Sequence, residues 1–114
     1  MDADLVAHGR VLRVEMRGRA TGEWRTATVG FVDGGDGSYL VAANTGSKWG
    51  ENLLADPTCR VTVGDRTFDA VATTLEGADH AHAVRELILR YGTPSEGLGR
   101  GPSFRLVPVR EDRG

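Results

Sequence analysis

The sequence predicts a mainly β (α+β) domain. Six antiparallel strands form a small closed or split barrel, with a short helix after the third strand and a longer one after the fifth. Three observations carry this. Apolar residues recur with period two in several short segments. Clusters of Gly, Asp, Asn and Ser punctuate them. Two stretches with helical spacing interrupt the strand series, which argues against a β-sandwich. The 114 residues suit one domain, and 39% hydrophobic residues, 26% charged residues and 16 glycines describe a globular, turn-rich chain.

Leu12, Val14 and Met16 alternate with Arg13, Glu15 and Arg17, the pattern of a half-buried strand. A turn over residues 18–23 connects it to a second strand over 25–32, in which Ala27, Val29 and Phe31 alternate with Thr26, Thr28 and Gly30; the two form a hairpin. Residues 34–38 are a turn, and residues 39–43 are an apolar run buried on both faces. After a loop at 44–48, Ser47 is placed to cap a short helix that Leu53 and Leu54 bury and Pro57 ends. Residues 60–63 and 66–74 form a hairpin around Gly64-Asp65, with Phe68, Ala70 and Ala72 on one face. Asp79 is placed to cap a helix to Tyr91, whose stripe is Ala81, Val84, Leu87, Ile88 and Tyr91. A Gly-rich loop or lid spans 93–102. Phe104, Leu106, Val107 and Val109 then make the last strand, in which Pro108 implies an edge or a bulge. Residues 1–10 are expected as a flexible segment, 11–110 as the domain and 111–114 as a tail.

The net charge of −2 gives no electrostatic case for nucleic acid. Arg10, Arg13, Arg17, Arg19 and Arg25 nevertheless make the first third locally basic, while most acids come later. Cys59 is the single cysteine, so no intrachain disulfide forms, and it reads as a buried structural thiol. No apolar run reaches the roughly 20 residues of a membrane helix. The acidic N-terminus lacks a signal-peptide pattern. A cytoplasmic protein is expected. His80 and His82, two apart near a helix start, are poorly spaced as metal ligands, and no metal site is expected.

Two stretches carry candidate chemistry. In residues 18–26, glycines flank a tight connection whose N–H groups can form an anion nest; Thr21 adds a hydroxyl, and Arg19 and Arg25 add guanidinium forks suited to phosphate or carboxylate. An ordinary hairpin loop with exposed arginines fits the same residues. In residues 42–57, small residues end a strand before a helix start, where a flat ligand can approach the backbone. There Trp49 either faces an aromatic ligand or packs on the barrel. Lys48 is the single lysine.

In order and spacing, Gly18, Arg19, Thr21, Gly22 and Arg25, followed by Trp49, Asn52, Leu53, Ala55, Asp56 and Pro57, resemble the deazaflavin-dependent nitroreductase family. The hairpin at 61–66 and the strand at 70–74 share the resemblance, which covers roughly residues 11–75. It implies a split β-barrel related to flavin-binding oxidoreductases and the use of reduced deazaflavin coenzyme F-420. Flavin mononucleotide and haem are the lesser cofactor candidates. By position, Arg19, Thr21 and Arg25 would grip the coenzyme's anionic tail, with Trp24 and Thr26 beside them. The backbone of Ala43, Asn44 and Thr45 and the Trp49 side chain would lie along the ring, and Lys48 is a further cofactor-binding candidate. No catalytic side chain is assigned, because hydride transfer from the ring needs none. The resemblance also implies a homodimer acting on a small electron-poor molecule. Ala20 stands where relatives commonly carry lysine, and Gly50 follows Trp49 where they commonly carry tyrosine. The alternatives are a split-barrel binding protein, or a cofactor-free cyclase or isomerase acting on a small metabolite.

Overall fold

The computed structural model describes residues 2–92 and 99–109. The chain runs α1 (Asp2–Ala7), β1 (Leu12–Arg17), β2 (Trp24–Val29), β3 (Val32–Asp33), β4 (Tyr39–Ala42), α2 (Lys48–Ala55), β5 (Thr58–Val63), β6 (Arg66–Thr74), α3 (Gly77–Tyr91) and β7 (Ser103–Pro108). All strand pairs are antiparallel, in the order β2-β1-β5-β6-β7-β4-β3.

That order dictates curvature. β2 and β3 lie at opposite edges of the sheet, yet only Gly30 and Phe31 separate them in the chain. Three Cα–Cα steps span at most about 11 Å, so the two edges must come together and the sheet curls into a barrel. Leu12, Val14 and Met16 of β1, Val61 of β5, and Phe104 and Leu106 of β7 fill its interior, each fully buried. α3 covers the outside of the β3–β4–β7 side, where Ala83 and Leu87 pack with Val32, Leu40 and Leu75.

The expected second strand over 25–32 is two strands, so the sheet has seven rather than six. Its alternation is real, but Tyr91 breaks the ladder. The Phe31 N–H donates to the Tyr91 hydroxyl at 3.0 Å, and that hydroxyl donates to the Arg10 carbonyl at 2.7 Å. The Tyr91 ring lies so close to Gly30 that a Cβ there would meet it at 2.9 Å. The chain therefore leaves β1 and turns to β4.

The β1–β2 and β5–β6 hairpins form as expected, with Arg17 opposite Trp24 and Val63 opposite Arg66. The Gly64 of the second turn takes φ +61°. Five local expectations change. Leu54, expected with Leu53 on the buried side of α2, is 53% exposed. Ser47 holds the N-cap position of α2, but its side chain makes no capping bond. α3 begins at Gly77, so Asp79 falls in its first turn and Glu76 is the N-cap. Ala83, not Ala81, lies on the buried stripe of α3, because the sheet contacts the side running through Leu87. β7 is an interior strand, and Pro108 lies beyond Leu106, the last residue paired by β4. Its missing N–H thus interrupts no bond on that side.

Within the first ten residues, read as flexible, α1 forms. It buries Val6, whose carbonyl accepts the Gly64 N–H at 2.8 Å. The tail at 111–114 and most of the expected lid, residues 93–98, lie outside the described residues.

The Tyr91 hydroxyl anchors the crossover, so Tyr91→Phe leaves the Phe31 N–H without its acceptor. Urea denaturation is expected to show a loss of about 1–2 kcal/mol. An unchanged midpoint would remove Tyr91 from the closure.

Candidate functional site

The β1–β2 connection is a compact loop. The Gly18 N–H donates to Glu23 C=O at 2.7 Å and the Gly22 N–H to Gly18 C=O at 2.8 Å, with Gly22 at φ +76°. The Thr21 Oγ1 accepts the Glu23 N–H at 3.1 Å. The N–H groups of Ala20 and Thr21 donate to no other described group, so they remain available donors at the loop's tip.

This loop faces α2 across a cleft of about 540 Å³, within the usual range for a small-molecule site. Ala27 forms its apolar floor, over the fully buried Met16. Gly18, Arg19, Ala20, Thr21, Arg25 and Thr26 line one side, and Lys48, Trp49 and Asn52 the other. Thus six of the ten residues singled out from sequence converge: Arg19, Thr21, Arg25, Thr26, Lys48 and Trp49. Trp49 is half-buried with its ring tilted against Phe104, 6.2 Å between centroids.

Gly50 explains how α2 comes so close. A Cβ there would lie 2.7 Å from the Ala43 Cβ and 3.3 Å from Pro102 Cγ. An aromatic residue at this position would push the helix away from the end of β4.

The other four candidates lie elsewhere. Trp24 sits on the outer face of the barrel, 53% exposed, with the Arg17 guanidinium 4.3 Å from its ring centroid. It borders a different groove, with Glu15, Arg60, Asp69 and Val109. Ala43, Asn44 and Thr45 are not among the residues lining the cleft. The Ala43 N–H is taken by Pro102 C=O at 2.9 Å, and Gly101 packs directly on the backbone of all three.

Asn52, read from sequence only as part of the helix motif, and Glu51, not singled out, organise the cleft. The Asn52 Oδ1 accepts both the Arg19 backbone N–H (3.1 Å) and Nη1 (2.9 Å), while Arg19 Nη2 meets Glu51 Oε1 at 2.8 Å. The sequence signal was a polar residue one helical turn after Trp49, on the buried face of α2. By contrast, the one ion-pair partner of Arg25 among the described residues is Glu23, at 3.6 Å, and Arg25 is half-exposed.

His80 is structural. Its Nδ1 lies 2.6 Å from the buried Ser103 Oγ, and its Nε2 donates to Gly99 C=O at 3.0 Å. Among the described residues no cluster of His, Cys, Asp or Glu could hold a metal ion. Cys59 is buried on the interior face of β5, and burial, with Asp69 and Asp56 adding to it, pushes its thiol up to about 12.

The model of the F420H(2)-dependent quinone reductase family matches residues 5–95, which include both sides of the cleft. The chain belongs to this family. Solved structures share the fold at low identity. An F420-H2 dependent reductase is 24% identical over 85% of this chain and 93% of its own, with TM-score 0.67. The haem storage protein HutZ from Vibrio cholerae is 21% identical over 96% and 88%, with TM-score 0.73. A chain described as a domain-swapped dimer is 22% identical over 91% and 92%, with TM-score 0.69. At these identities the likeness shows the split barrel alone. A search of curated proteins finds no match. For this quinone reductase family member, no helix among the described residues is long and apolar enough to cross a membrane.

Cys59 gives a pH prediction. Folding keeps the thiol protonated up to about 12, whereas the unfolded chain releases its proton near 9.0. The unfolded state then binds fewer protons, so stability falls as pH rises above about 9. At pH 8, alkylation of the native protein should be at least ~10-fold slower than that of the urea-unfolded chain. Equal rates would contradict a buried thiol.

Proposed function

We propose that the chain is an oxidoreductase that transfers a hydride from reduced deazaflavin coenzyme F-420 to a small electron-poor organic acceptor: an enone, a quinone or a nitro compound. The observation that supports it most is the cleft itself. Arg19, Arg25 and Lys48 line one opening together with Ala20, Thr21 and Trp49, above a floor of Ala27 over the buried Met16. The family match supports the same reading.

The donor set fits a ligand with an anionic tail and a flat ring. Guanidinium, ammonium and backbone N–H groups suit phosphate or carboxylate oxygens. An indole beside an apolar floor suits a conjugated ring. The coenzyme, when bound, supplies the hydride. The protein's share is to fix the tail at the β1–β2 loop, orient the ring between Trp49 and the floor, and exclude water there. The reading requires no acid or base side chain. It takes the protein to work in the cytoplasm as a homodimer on a small molecule; one protein of similar fold is described as a domain-swapped dimer.

The test is a fluorescence titration with oxidised F-420, using flavin mononucleotide and haem as comparators. Binding of F-420 in preference to both is expected. No spectral change at tens of micromolar would overturn the proposal. Arg25→Ala is expected to weaken binding by about 1.5–3 kcal/mol, the usual contribution of a hydrogen bond to a charged group. Ala20→Lys is expected to tighten it, and unchanged affinity in both variants would move the anion site off this loop.

A further inference from the structure

Three cations border the cleft, but they are not equivalent. We infer that Arg19 is a clasp joining the β1–β2 loop to α2, and that Arg25 and Lys48 carry the charge recognition of the ligand's phosphate or carboxylate. Glu51 is a built-in competitor that lowers the affinity for it. This rests on the anion-binding reading of the cleft above.

The geometry of Arg19 supports the division. Its backbone N–H and Nη1 converge on one oxygen, Asn52 Oδ1, and Asn52 is 5% exposed. A second guanidinium nitrogen, Nη2, is engaged by Glu51 at 2.8 Å. The Asn52 bonds cross 33 residues of sequence and tie one wall of the cleft to the other. An exposed ion pair contributes little stability, so the Glu51 contact chiefly neutralises Arg19. The buried Asn52 carbonyl fixes where the guanidinium lies.

Arg25 and Lys48 are placed differently. The carboxylate nearest Arg25 is Glu23 at 3.6 Å, with the Glu23 side chain 70% exposed. Lys48 has no ion pair among the described residues. It opens α2, where a cation meets the positive end of the helix dipole. That placement is unfavourable for the helix alone and favourable once an anion lies between Lys48 and Arg25. Because Ala20 brings no charge to the opposite rim, Lys48 is the cation of the cleft without an ion pair among the described residues, beside Arg25 with its long contact to Glu23.

The experiment titrates the full chain with oxidised F-420 and, separately, with inorganic pyrophosphate as a probe of the anion site alone. Lys48→Ala is expected to weaken both about tenfold and to flatten the dependence on ionic strength. Glu51→Gln is expected to tighten both about threefold, since a neutral amide can still accept from Arg19 without competing for charge. Arg19→Ala and Asn52→Ala are expected to weaken coenzyme binding by similar factors, the double variant being no worse than either. Asn52→Ala should keep the wild-type salt dependence. Wild-type affinity in Asn52→Ala beside a loss in Arg19→Ala would make Arg19 a direct ligand and overturn the clasp. Should Asn52→Ala fail to fold, the exposed positions Lys48 and Glu51 decide, and wild-type affinity in both variants overturns the assignment. Pyrophosphate binding with the expected pattern but no F-420 binding would keep the assignment and overturn the deazaflavin reading. F-420 binding independent of Lys48 would do the reverse, and binding of neither probe would overturn both.

Discussion

The passage of the chain from β2 to β3 is the constraint on which the rest of the structure depends. Two residues carry it between opposite edges of one sheet, and the Tyr91 hydroxyl holds the turning point through Phe31 and Arg10. Closure encloses the apolar faces of β1, β5, β6 and β7 in one core. It also sets where the ends of the strands lie. The β1–β2 loop reaches over one end, α2 packs beside it, and a cleft opens between them. The anchor belongs to the last turn of α3, a helix otherwise devoted to covering the sheet.

The two walls of the cleft use small residues and buried polar groups in different ways. On the α2 side, Gly50 permits contact with Ala43 and Pro102, and Asn52 turns its carbonyl toward the loop. On the loop side, Gly18 and Gly22 close a turn that leaves donors at its tip. On the proposed function, a site with this construction takes an anion at the rim and a flat apolar body on the floor. A slightly acidic protein can present it, because the relevant field is local and surface charges farther away are screened. Six of the ten residues singled out from sequence line this cleft.

Much of the fold was legible because one face of each strand is buried. Leu12, Val14 and Met16, and later Phe68, Ala70 and Ala72, announce their strands by alternation alone. The break at Gly30 was not legible. Alternation continues through it to Phe31, and its cause lies 60 residues away in Tyr91. The place of β7 was hidden for a similar reason: Pro108 signals a local defect in pairing, whereas strand order is a property of the whole sheet. In the site, the loop motif and the helix motif were readable, and six of their residues meet. Asn52 escaped notice as a site residue because a buried asparagine acquires meaning from what it accepts, here Arg19 from another element. Trp24 lies outside the cleft. It neighbours Arg25 in sequence, but the period of a strand places it on the opposite face.

Binding and catalysis are separate properties of such a cleft, and a retained anion site is compatible with a lost reaction. The most direct measurement is therefore turnover: reduced F-420 mixed anaerobically with a simple quinone, with and without catalytic amounts of the protein, followed by the absorbance of the oxidised coenzyme. Protein-dependent oxidation of the coenzyme in step with quinone reduction is expected, slowed in Arg25→Ala at subsaturating coenzyme. Coenzyme that binds in the cleft yet is oxidised no faster than in protein-free solution, by quinone, enone and nitro acceptors alike, would contradict the proposed function.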